Sequence, residues 1–131
     1  MKKRGGEMMG FKVAQDGATY PAVITRCEVT TAADVFTSKD GIFNGKTSPE
    51  DPVMNIHGRI HEQAKETKLG TLRLPKDGEF LSNKSNLYKL YLSLGFDFNN
   101  GFETSDDFSE LVGKSVQVTK TTSGFWKLSL D

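Results

Sequence analysis

Residues 111–130 of the chain read LVGKSVQVTKTTSGFWKLSL. Val116 and Val118 point one way, and Ser115, Gln117 and Thr119 the other. After Ser123-Gly124, Trp126, Leu128 and Leu130 alternate with Phe125, Lys127 and Ser129. Strict alternation marks a half-buried strand, because successive side chains leave opposite faces of the backbone. Gly124 can take the positive φ that a tight connection needs. The stretch is therefore a closing β-hairpin. One face offers two valines, a tryptophan and two leucines to a core; the other carries Gln117, Thr119, Phe125 and Lys127.

Working back from the hairpin, residues 105–112 form a short helical turn. Ser105 is its expected cap, Asp106 and Asp107 favour its positive end, and Gly113 stops it. Residues 82–94 predict the one long helix. Leu87, Leu90, Tyr91 and Leu94 fall at i, i+3, i+4 and i+7, Ser82 or Asn83 caps the start, and Gly95 ends it.

Residues 19–30, TYPAVITRCEVT, are rich in β-branched residues and read as a strand. Val23, Cys27 and Val29 are its expected inner face, and Pro21 suggests an edge or a strand opening. A second strand spans residues 53–62, with Met54, Ile56 and Ile60 inward and a bend at Gly58. Residues 63–69 read as a polar turn and 71–74 as a brief strand ended by Pro75. A further strand start is expected at residues 11–14. Residues 31–52 have no sustained period and form a long loop, with a small hairpin around Ile42 and Phe43.

Five or six alternating strands with a helix after the third imply a mainly β protein. The oligonucleotide/oligosaccharide-binding (OB) barrel has a helix at that place, while an open sheet on one helix and other small barrels stay open. The organisation expected is a flexible basic leader over 1–10, carrying Lys2, Lys3 and Arg4, and one domain over 11–131.

The totals narrow the function. Seventeen basic and seventeen acidic residues give a formal charge of +0, so any basic surface is local. Residues 97–110 hold five acids and no base. Aromatics at 10% and nine Phe argue against wholesale disorder. The single cysteine, Cys27, rules out an intramolecular disulfide and fits a reducing compartment. With no apolar run of about 20 residues and no secretory h-region, a cytoplasmic location and no membrane partner are expected.

Catalytic and metal motifs fail on spacing. Residues 41–47, GIFNGKT, have three residues between glycine and GKT where a P-loop needs four, and Pro49 blocks the following helix. His57 and His61 sit four apart on a strand, about 13 Å by its rise and too far to share one metal. No nucleophile setting appears, and Glu103, Asp106, Asp107 and Glu110 are explained by capping and the helix dipole. Neither an enzyme nor a cofactor is expected.

What remains is basic and aromatic residues interleaved on polar strand faces, the combination that holds single strands through phosphate contacts and base stacking. The expected site residues are Arg26, His57, Arg59, His61, Arg73, Lys120, Phe125 and Lys127, with Phe36, Lys39, Phe43 and Lys46 from the long loop. Gln117, Thr119, Phe125 and Lys127 form one expected wall, and His57 and Arg59 the other.

SNLYKLYLSLGF (85–96), DFSELVGKSVQVTK (107–120) and the final GFWKLSL, with TYPAVITRCEV before them, resemble a set of phage- and virus-encoded OB-fold proteins. That resemblance implies an OB-fold-like antiparallel barrel and a non-enzymatic role in binding single-stranded DNA, as a replication or recombination accessory factor. RNA and a homodimer remain open as partners. The competing expectation is a structural or protein-interaction domain without nucleic-acid binding.

Overall fold

The alternating stretches form five strands: β1 (Thr19–Thr31), β2 (Pro52–Ile60), β3 (Thr67–Arg73), β4 (Ser115–Lys120) and β5 (Trp126–Leu128). A single turn, α1 (Ala32–Val35), ends β1, and α2 (Asn86–Ser93) lies between β3 and β4. The computed structural model describes residues 13–36, 48–61, 63–76 and 78–130. The basic leader, Lys39, Lys46 and the hairpin expected at Ile42 and Phe43 lie outside the described residues.

All strand pairs are antiparallel, in the order β3-β2-β1-β4-β5. β3 and β5, the two ends of that order, come together: a Cβ placed on Gly70 would stand 3.4 Å from Leu128 Cγ. The sheet is thus a nearly closed five-stranded barrel with a helix after the third strand, the OB-fold-like architecture expected.

Two bulges bend the barrel. Ile24 pairs with Gly58 but Arg26 with His57, so Thr25 is an extra residue in β1. Ile56 pairs with Gly70 but His57 with Lys68, so Leu69 is extra in β3. An extra residue shifts the alternation by one. This corrects the expected inner face of β1. Ala22 and Ile24 are buried ahead of the bulge and Cys27 packs on the core after it, whereas Val23 is 42% exposed. Val29 pairs with buried Met54 yet remains 51% exposed.

Other boundaries also move. Pro21 is the third residue of β1, as a strand opening allows, but β1 lies mid-sheet and not at an edge. Residues 67–69 are not turn: β3 starts at Thr67, ends at Arg73, and buries Leu69 completely. Residues 13 and 14 are not in a strand.

α2 begins later than its periodicity suggests, because Ser85, rather than Ser82 or Asn83, is its cap and accepts from the Tyr88 N–H. Leu87, Leu90 and Tyr91 are buried, Leu94 packs on the core, and Gly95 stops the helix at φ +91°. An isolated helix of eight residues is marginal in water. Packing holds this one, at about 1.5–3 kcal/mol for each fully buried leucine. Phe96, Phe98 and Phe102 ring Tyr91 with centroids 5.2–5.7 Å away. The turn before β4 is a 3-10 segment, Ser109–Leu111, whose cap is Phe108 at φ +57°. Ser105 still serves it, since its hydroxyl accepts from the Ser109 N–H at 3.0 Å.

Candidate functional site

Barrel closure places the outer side of β3 beside the β4–β5 turn. Between them lies an open groove of ≈ 700 Å³ lined by Val35, Phe36, Thr67, Lys68, Gly70, Thr71, Gly124, Phe125 and Trp126. It continues along β5 past Lys127, Leu128 and Leu130. On the other side it passes Val53 and Arg73 to Lys84, Ser85 and Asn86 at the start of α2. Phe36 and Thr71 border all three parts, so they mark the middle.

Three aromatic rings stand around this channel. Phe125 is 70% exposed on the turn between β4 and β5, and Phe36 follows α1. Trp126 is half-buried, with Tyr20 edge-on at 5.7 Å and the Lys120 ammonium 5.9 Å above its ring. Lys68, Arg73, Lys84 and Lys127 are exposed at the rim. Among the described residues none of these four is in an ion pair. Flat apolar faces between free cations suit planar, anionic polymers.

Of the expected site residues, the structure therefore gathers Phe36, Arg73, Phe125 and Lys127, with Lys120 behind Trp126. Phe43, like Lys39 and Lys46, lies outside the described residues. The remaining basic groups go elsewhere. Arg26 is held by Glu66 at 3.1 Å and by Glu28 at 4.0 Å. His57 Nε2 stands 3.3 Å from Glu28 Oε1. Arg59 Nε donates to the Ala64 carbonyl at 3.1 Å. His61, at φ +55°, borders a separate cavity with Tyr20, Ile60 and Gln63.

The second wall is corrected accordingly. The wall facing Phe125 and Lys127 is Phe36 with β3, not His57 and Arg59, because β3 rather than β2 closes onto β5.

The outer face of β1 and β2 is a paired polar network. Glu28 accepts from Asn55 and His57, and Glu66 from Thr25 and Arg26; these bonds hold both carboxyl groups below the usual glutamate range. The network joins the groove at one point, where the Thr71 hydroxyl donates to Asn55 Oδ1 at 2.7 Å.

Lys68, Thr71 and Lys84 line the groove without being marked by periodicity, and Trp126, packed on the core as its alternation predicts, borders the groove as well. Lys68 falls in the stretch that reads as a polar turn and lies in β3 instead. Gly70 is the signal that was available, since a glycine inside a strand marks a close approach by another backbone.

A second polar cluster joins α2 to the turn before β4. Tyr91 donates its hydroxyl to Glu110, which also accepts from the Ser105 N–H at 3.0 Å. Burial alone would raise the Glu110 pKa, but these donors outweigh it and hold it low. Burial, then the Glu110 and Asp107 charges, push the Cys27 thiol up to about 11. Such a thiol is a poor nucleophile at neutral pH. No group of three or more His, Cys, Asp or Glu among the described residues is placed to hold a metal ion.

No protein-family model, curated protein or solved structure matches the chain.

Proposed function

We propose that the protein is a non-enzymatic binder of single-stranded DNA, acting as an accessory factor in replication or recombination. One observation carries this reading: Phe36, Phe125 and Trp126 line the same groove as Thr71, and Lys68, Arg73, Lys84 and Lys127 border it. OB barrels use the face of strands 2–3 with the loops after strands 1 and 4, and this groove has that placement. Each stacked base contributes about 1–3 kcal/mol. The rim cations supply a salt-dependent share: four phosphate contacts give a slope near −2.8, or about a 50-fold loss between 50 and 200 mM salt.

Fluorescence anisotropy with a labelled oligo-dT strand, against a duplex of the same length, tests the reading. Micromolar or tighter binding of the single strand that falls with salt supports it. Absence of binding, or affinity independent of salt, contradicts it.

A second reading, a protein-interaction module, is favoured by Phe80. The residue is 99% exposed and lines a ≈ 500 Å³ pocket with Leu81, Tyr88, Phe98 and Phe102, bordered by Glu79 and Glu103. That lining suits a peptide with an apolar anchor beside Lys or Arg. Silent DNA titrations together with Phe80-dependent binding of such a peptide would favour it.

A further inference from the structure

The hydrogen bonds beneath the groove run in one direction. Glu28 is ionised at neutral pH and can only accept. Asn55, 8% exposed, donates its Nδ2 to Glu28 Oε1 at 3.3 Å, the same oxygen that His57 Nε2 approaches. Turning the amide over would set its carbonyl oxygen against a carboxylate, so Glu28 fixes the orientation of Asn55. Asn55 Oδ1 must then accept from the Thr71 hydroxyl, at 2.7 Å. A hydroxyl has one proton, and this one is committed to Asn55. The lone pairs of Thr71 Oγ1 have no other partner among the described residues.

Thr71 borders every part of the groove together with Phe36, and shares two of those parts with Trp126. We infer that Thr71 presents Oγ1 to the ligand as an acceptor alone, so that the groove floor prefers a base carrying an exocyclic amino group. This rests on the single-strand reading and adds a preference to it. Stacking is indifferent to base identity. The floor is not, because a base without a donor leaves Oγ1 desolvated and unpaired. A ribose 2′-hydroxyl brings the same donor chemistry, so base and sugar must be separated.

The test compares labelled octamers of deoxyadenosine, of purine deoxyriboside (the same ring without the amino group) and of purine riboside. The deoxyadenosine strand is expected to bind about fivefold tighter than the purine deoxyriboside strand. Thr71→Val should erase that preference and Thr71→Ser should keep it. If Thr71→Val does not fold, the wild-type comparison and Thr71→Ser still decide. Equal, salt-dependent binding of both deoxy strands overturns this inference and leaves the single-strand reading intact. A preference that survives Thr71→Val also overturns it. Purine riboside binding more tightly than two equal deoxy strands would overturn the assignment to the base and move it to the sugar. Binding of none of the strands overturns the parent reading as well.

Discussion

A Cβ on Gly58 would stand 2.3 Å from the carbonyl oxygen of Val23 and 2.7 Å from Leu69 Cδ1. The strands come this close where both bulges bend the barrel. A backbone atom cannot rotate away as a side-chain tip can. Gly58→Ala is therefore expected to destabilise the fold by about 1–3 kcal/mol, read as a lower urea midpoint. An unchanged midpoint would mean that the β1–β2 approach is looser than this.

Much of this fold was legible in the sequence. The hairpin alternation, the Leu87–Leu90–Tyr91 stripe and the helix after the third strand gave the barrel, and Val116 and Val118 are buried as their period requires. The inner face of β1 was not legible, because a single extra residue at Thr25 reverses parity and no local signal marks it. The site was half legible. Phe36, Arg73, Phe125 and Lys127 were visible as exposed types on polar faces. Their opposite wall depends on which strand ends meet, and the capture of Arg26 by Glu66 spans 40 residues. Periodicity carries neither.

The Tyr91–Glu110 bond ties α2 to the turn before β4. Glu110 has its pKa lowered on folding, so the unfolded chain takes up that proton first. Its contribution is fully present above the ordinary value of 4.5 and is lost as pH falls through the lower folded value. Glu110→Gln should destabilise by about 1–2 kcal/mol at pH 7. The gap from wild type should narrow below pH 4.5 in parallel urea melts. A gap constant with pH would contradict the assignment.

Cys27 should be slow to alkylate. A shift from 9.0 to about 11 lowers the thiolate population about a hundredfold at neutral pH. Iodoacetamide labelling at pH 7.5 is expected to lag behind a free thiol by at least that factor and to recover in urea. Fast labelling of the folded protein would refute the buried setting.

The groove and the paired outer face should separate cleanly by mutation. Phe125→Ala removes a stacking platform and should cost about 1–3 kcal/mol of single-strand affinity. Arg73→Ala or Lys127→Ala should each reduce the salt slope by about 0.7. Arg26→Ala should leave affinity and slope nearly unchanged, since Glu66 and Glu28 already occupy its guanidinium. Equal losses at Arg26 and Arg73 would move the binding face onto β1 and β2.

The chain has one tryptophan, Trp126, and it lines the groove. Its intrinsic fluorescence reads the central claim without a label or a mutation. Titration with an unlabelled single-stranded oligonucleotide at about 50 mM salt should quench it saturably, and added salt should reverse the quench in step with dissociation. Single-strand binding detected by another method, with Trp126 emission unchanged at saturation, would contradict the account.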